Sequence, residues 1–190
     1  MLEPELRKEI RKLWDRFYSN NMANTLEIVE QMSYLIFFRR LEVTDNDNER
    51  KAKAQGKKFT SVFAKNQNCK WSHFKNMNAD DMLEHVRDVV FPFVKDQNDG
   101  PETLYAKYMT DARLTITVPS LLQEAVSILD EINISSHSHD VQGDIYEELL
   151  GELQQTKLNG QFRTPRHIIQ MMVQMVNPQI GETVRDPACG

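Results

Sequence analysis

Apolar residues recur along most of this chain at helical spacing. Leu6, Ile10, Leu13, Trp14 and Phe17 share one face of a helix that Pro4 can begin, leaving Arg7, Lys8, Arg11 and Lys12 for the outside. Asn24, with Glu27 three residues later, resembles a capping box. It predicts a second helix with Leu26, Val29, Met32 and Ile36 in one stripe. Tyr34, Leu35, Phe37 and Phe38 add apolar surface on other sides, which predicts a central helix buried all round.

The polar run TDNDNERKAKAQGKK, Thr44 to Lys58, then breaks the pattern and reads as a loop, mobile or functional. After the aromatic patch NQNCKWSHF, Asn78 can cap a helix carrying Met82, Leu83, Val86 and Val90. Pro92 should end or kink it, because its ring clashes with the preceding turn and it has no N–H. Pro101 and Pro119 each follow a break and suit first-turn positions. Past Pro119, the residues Leu121, Ala125, Ile128 and Ile132 share a face. Another helix should begin near Asp140, and TPRHIIQMMVQMV should begin a last one at Pro165, with its methionines Met171, Met172 and Met175 packed in a core. Only ETVRD, near the end, looks like a strand.

The implied fold class is mainly α. A bundle-like helical domain spans residues 1–154, and residues 155–190 form a linker and the first helix and strand of a truncated α/β domain. A parallel sheet needs several such units, so a strand at Val184 expects partners beyond Gly190.

Composition narrows the class. With 40% hydrophobic and 27% charged residues, and only 7 Gly and 7 Pro in 190, the chain is neither fibrous nor disordered. No apolar run approaches the roughly 18–20 residues of a membrane span, and the N-terminus has no signal-peptide core, so no membrane role and a cytoplasmic setting are expected. Cys69 and Cys189 are too few for a disulfide framework. Cys69, His73, His137 and His139 match no common zinc spacing, and no metal site is expected. Trp71 and Phe74 could stack on bases or anchor a loop, and anchoring is the simpler role.

The net charge of −5 hides an asymmetry. Seven basic residues and no acidic one lie between Arg50 and Lys70, so that stretch carries +7 and the remainder −12. Such a segment is either a solvated loop or a contact for nucleic-acid phosphates, from which Lys51, Lys53, Lys57 and Lys58 would release counterions.

Two stretches near the end carry chemical content. DPACG sets a carboxylate at the end of the expected strand and a glycine in the turn beyond it, where nucleotide-type cofactors approach the backbone. About twenty residues earlier, NGQFRTPRHIIQMM starts a helix at Thr-Pro, whose free N–H groups are available to a ligand.

Together these stretches resemble the adenine-N6 DNA methyltransferases of type I restriction-modification systems, in their modification subunit. GQFRTPRHIIQMM looks like that family's Thr-Pro segment beside the cofactor, and GETVRDPACG like the first half of its S-adenosylmethionine loop. DVQGDIYEELL, LWDRF and YLIFFRRLE are similar to its helical N-terminal domain. The resemblance implies that Phe162, Thr164, Pro165, Asp186, Pro187, Ala188, Cys189 and Gly190 bind S-adenosylmethionine. Arg163 stands where many members have a second aromatic. The implied partners are DNA, a specificity subunit and a second modification subunit, with a restriction subunit as a further candidate. The helical domain would help close a clamp on the duplex.

The family's catalytic Asn/Asp-Pro-Pro-aromatic motif is not present. Asn177-Pro178-Gln179 lacks the second proline and the aromatic and reads as a helix-ending turn, so no catalytic residue is expected in these 190 residues. The rival reading is a non-enzymatic helical adaptor. The two part beyond Gly190, where a methyltransferase should continue and an adaptor should not.

Overall fold

Pro4 opens α1 (Pro4–Ser19), and every core position that can be placed on it is at helical spacing: Ile10, Leu13, Trp14 and Phe17 are buried. The computed structural model describes residues 4–20, 22, 24–96, 111–132, 148–149, 151, 164 and 166–185. Among these, all regular structure is helical.

Asn24 caps α2 (Thr25–Ala54), its side chain accepting from the Leu26 N–H at 3.1 Å. Val29, Met32, Leu35, Ile36 and Phe38 are buried, Tyr34 and Phe37 are half-buried, and Leu26, expected in the same stripe, is 53% exposed in the first turn. The larger correction concerns its end. Residues 44–54 of the polar run are not a loop, because α2 continues through them to Ala54 for 30 residues, about 45 Å at 1.5 Å per residue, and only residues 55–58 leave the helix.

Helix geometry explains how a segment with no apolar period stays wound. Lys53 pairs with Glu49 one turn back at 2.7 Å, and Arg50 lies 3.7 Å from Asp47. The helix then stops in a Schellman arrangement, with Gly56 N–H on the Lys53 carbonyl at 3.2 Å and Lys57 N–H on the Ala52 carbonyl at 2.9 Å. Gly56 sits at φ +63, which glycine adopts without Cβ strain.

Beyond a 3₁₀ turn at Gln67–Cys69, α3 (Trp71–Phe74) inserts Trp71 and Phe74 into the core at 3% and 0% exposure. They therefore anchor the segment and offer no face to bases. No residue of α3 caps its own N-terminus; Glu42 of α2 accepts from the Ser72 N–H at 2.8 Å and its hydroxyl at 2.6 Å. Cys69 is buried, and desolvation pushes its thiol up to about 11.

Asn78 caps α4 (Ala79–His85), accepting from the Asp81 N–H at 3.0 Å. Pro92, expected to end or kink this helix, is absorbed instead. The chain widens into one π-helical stretch, Val86–Val90, in which Phe91 N–H reaches the Val86 carbonyl, and continues as α5 (Phe91–Asp96). Widening just ahead of the proline relieves the clash its ring would make with an α-helical carbonyl. Pro119 then starts α6 (Pro119–Glu131), with Leu121, Leu122, Ala125, Val126, Ile128 and Leu129 buried. Helix α6 packs on α4, α1 and α2 and holds the bundle together.

Buried polar groups are satisfied across elements. Gln31, 1% exposed, donates to the Arg113 carbonyl and accepts from the Thr115 N–H, fixing the irregular strap before α6. Arg39 donates to the Leu129 and Asp130 carbonyls and so closes the last turn of α6, which has no basic residue of its own. Asp130 accepts from Trp71 Nε1 at 2.9 Å and Lys75 Nζ at 2.8 Å.

Partial burial would raise the Asp130 carboxyl. The bonds from Lys75 and Trp71 and the charges of Lys75 and Arg39 outweigh it and hold Asp130 below the usual carboxylate range. Because the folded value lies below the unfolded one near 3.9, its contribution is complete above that value and fades as pH falls through the folded one. The stability difference between the chain and Asp130→Asn is accordingly expected to shrink between about pH 5 and pH 2, measured by urea unfolding at each pH.

The end of the chain departs from expectation. Helix α7 (Arg166–Val176) forms one residue past Pro165, yet Met171, Met172 and Met175 are 49%, 53% and 78% exposed and fill no core. None of residues 167–185 is buried, so this apolar helix has no neighbour among the described residues. Residues 182–185 of the expected strand have no regular structure, since an extended segment becomes a strand only by pairing. Asn177 does end α7 as a turn, at φ 46, with its N–H on the Val173 carbonyl at 2.8 Å.

Candidate nucleic-acid interface

The basic stretch is a built surface. After Gly56 reverses the chain, residues 57–61 run without regular structure until Ser61 and Val62 are caught by Asp45 of α2. The Asp45 carboxylate, 3% exposed, accepts from Ser61 Oγ at 2.6 Å and from the Val62 N–H at 2.9 Å. Nine residues of helix, about 14 Å, separate Asp45 from Ala54, and five extended residues cover about 16 Å. The segment therefore runs back along the last turns of α2, bringing Lys57 and Lys58 alongside Lys51 and Lys53.

All four lysines are exposed. Among the described residues, Lys51, Lys57, Lys58 and Lys65 have no ion-pair partner, whereas Lys53 holds Glu49 and Arg50 faces Asp47. Lys70 lies 5.8 Å above the Phe63 ring, which stacks on Phe93. Sequence reading found these cations but missed the helix that carries Arg50, Lys51 and Lys53. The signal was present in the good helix formers of NERKAKAQ and in Gly56 as a helix stop.

The arginines of α1 are committed to carboxylates. An open groove of about 710 Å³ along α1 is lined by Arg7, Lys8, Arg11, Lys12 and Arg16. Glu148 spans Arg7 and Arg11 at 3.0 and 2.9 Å, and Arg16 meets Glu124 of α6 at 2.9 Å. Leu149 beside it is fully buried, so this piece of the DVQGDIYEELL stretch docks on the helical body. His73 and His85 have ring centroids 5.7 Å apart, and no group of three metal-ligating side chains occurs among the described residues.

Of the cofactor stretches, the structure places Thr164, which is exposed just ahead of α7. Phe162, Pro165, Asp186, Pro187, Ala188, Cys189 and Gly190 lie outside the described residues, as do His137, His139, Pro101 and Asp140.

Comparison with known proteins gives this arrangement its family. A family model described as HsdM N-terminal domain matches residues 6–129. The chain belongs to the HsdM family. A second model, N-6 DNA Methylase, matches residues 137–190 of this HsdM chain and contains both cofactor-like stretches. The type I restriction enzyme EcoEI methylase subunit of Escherichia coli is 34% identical over 122 residues, 61% of this chain and 25% of that protein. The StySPI methylase subunit of Salmonella potsdam is 31% identical over 127 residues, 64% of this chain and 23% of that protein. A solved chain, from work on complex assembly and conformational transition of the type I R-M system, matches with a TM-score of 0.70 at 30% identity. It covers 98% of this chain and 38% of its own. The chain thus spans about a quarter of the length of the curated relatives it matches. No helix among the described residues is long and apolar enough to cross a membrane.

Proposed function

We propose that this HsdM chain is the N-terminal part of a cytoplasmic modification subunit that transfers a methyl group from S-adenosylmethionine to adenine N6 in DNA. The observation that carries this reading is the tandem order of the two family matches, HsdM N-terminal domain and then N-6 DNA Methylase, along one chain. The helical body would serve DNA clamping and contacts to a specificity subunit, a second modification subunit and a restriction subunit. Its basic strip would grip the duplex through phosphates, which fix position and carry no sequence information.

The donor set suits the cofactor. Its amino, carboxylate and hydroxyl groups match the Thr164 hydroxyl, the free N–H groups at the start of α7 and the Asp186 carboxylate, while Gly190 permits close backbone approach. Phe162, Pro165, Pro187, Ala188 and Cys189 would shape its surroundings. S-adenosylmethionine supplies the electrophilic methyl group; these residues bind and orient. The Asn/Asp-Pro-Pro-aromatic motif, whose carboxamide and aromatic would hold a flipped adenine, does not occur in the 190 residues, so we assign the methyl transfer to the longer protein.

The test has two arms. The full-length subunit, assembled with its specificity subunit, should place N6-methyladenine in duplex DNA, and transfer to cytosine or none at all would overturn the reading. The 190-residue chain should take up S-adenosylmethionine weakly if at all in calorimetric titration, and micromolar binding would sink the claim that its site is incomplete.

A further inference from the structure

The exposed cations of the basic strip are not equivalent, and the difference lies in what the helix does with its acids. Lys51, Lys57 and Lys58 have no ion-pair partner among the described residues. Lys53 sits on the same helix, 73% exposed at its side chain, yet its Nζ is 2.7 Å from Glu49 Oε1. Glu49 is one helical turn toward the N-terminus, the orientation in which a glutamate–lysine pair is favoured. The hydrogen bond and charge of Lys53 hold the Glu49 carboxyl below its ordinary value, with the charge of Lys70 adding to them.

Counterion release depends on net neutralisation of DNA phosphates. A free lysine neutralises about one phosphate, and a lysine whose charge is shared with an adjacent carboxylate neutralises less than one. We infer that Glu49 is a built-in competitor that withholds Lys53 from the phosphate contact made by Lys51, Lys57 and Lys58. This rests on the reading of the strip as a DNA contact. It makes Glu49 a residue that sets the strength of the grip: strong enough to hold a duplex, weaker than the run of lysines in the sequence implies.

The experiment is lysine footprinting on the full-length subunit with its specificity subunit, using an amine-reactive acetylating reagent with and without duplex DNA, read by mass spectrometry. In the natural sequence, DNA should protect Lys51, Lys57 and Lys58 and leave Lys53 reactive. In Glu49→Gln, Lys53 should become protected as well. The slope of log affinity against log salt should then steepen by up to about 0.9, at most about an eightfold gain per decade of salt. Protection of Lys53 in the natural sequence, or in neither protein, overturns the role of Glu49 while leaving the DNA contact standing. Absence of protection at Lys51, Lys57 and Lys58 removes the contact itself, and the inference falls with it. Glu49→Gln keeps a good helix former on an exposed turn, and unchanged helical circular dichroism checks the fold.

Discussion

Trp71→Ala is expected to destabilise the helical body by about 3–5 kcal/mol, a large share of the roughly 5–15 kcal/mol that holds a domain together. Three contributions converge on this side chain. Its ring is 3% exposed and meets Phe74 edge-on at 5.3 Å, so truncation opens a cavity beside a fully buried phenylalanine. Its indole N–H is one of the donors holding the Asp130 carboxylate at the end of α6. Asp130 also receives Lys75, and Arg39 binds the carbonyls of the same turn, so the junction joins α2, α3 and α6. Trp71→Phe separates these contributions. It keeps a phenyl ring in the core, removes the donor and the second ring of the indole, and is expected to cost about 1–3 kcal/mol. Urea unfolding of both variants checks the pair, and equal losses would mean that the hydrogen bond, not the packing, dominates.

The features legible in the sequence were those that repeat with a helical period or punctuate one. Ile10, Leu13 and Phe17 on α1, the Asn24 and Asn78 caps, Pro119 at the start of α6 and Asn177 as a stop are all local signals, and the structure uses each of them. The second half of α2 escaped because a helix turned to solvent on most sides has no apolar stripe to count. It is sustained instead by intrahelical ion pairs, by strong helix formers and by a glycine stop. Pro92 announced a distortion, but whether a proline ends a helix or is absorbed by a π turn depends on the packing of Val86 and Val90 around it, which is tertiary.

Helix α7 shows the opposite failure. Its methionines read as core from their spacing, because periodicity reports that a face wants a neighbour and not that the neighbour is among the described residues. The proposed cofactor stretches were read only through resemblance: five residues of DPACG have little meaning by spacing alone, and they lie within the family match over 137–190. The basic strip was legible as charge. Its shape was not, since Asp45 recruits Ser61 and Val62 across sixteen and seventeen positions of sequence.

Reversing Lys51, Lys53, Lys57 and Lys58 to glutamate in the full-length subunit is expected to weaken DNA binding by two to three orders of magnitude or more at about 0.1 M salt. Each free lysine that neutralises one phosphate contributes about 0.9 to the slope of log affinity against log salt. Losing Lys51, Lys57 and Lys58 should flatten that slope by roughly 2.7, with less from Lys53, whose charge Glu49 shares. Preference among DNA sequences should survive, since phosphate contacts position a duplex without reading it. The fold should survive too. All four side chains are exposed, and Gly56 and Asp45, which stop α2 and tie the following segment to it, are untouched; the Lys53–Glu49 pair is lost and becomes a like-charge pair, at a cost of about 0.5–1 kcal/mol. The remaining cost to the helix is that of replacing cations with anions near a C-terminus, at most about 1 kcal/mol for each of Lys51 and Lys53. Unchanged affinity together with an unchanged salt slope would remove the strip from the DNA contact. A loss of affinity with the slope unchanged would assign these lysines to an acidic protein partner instead.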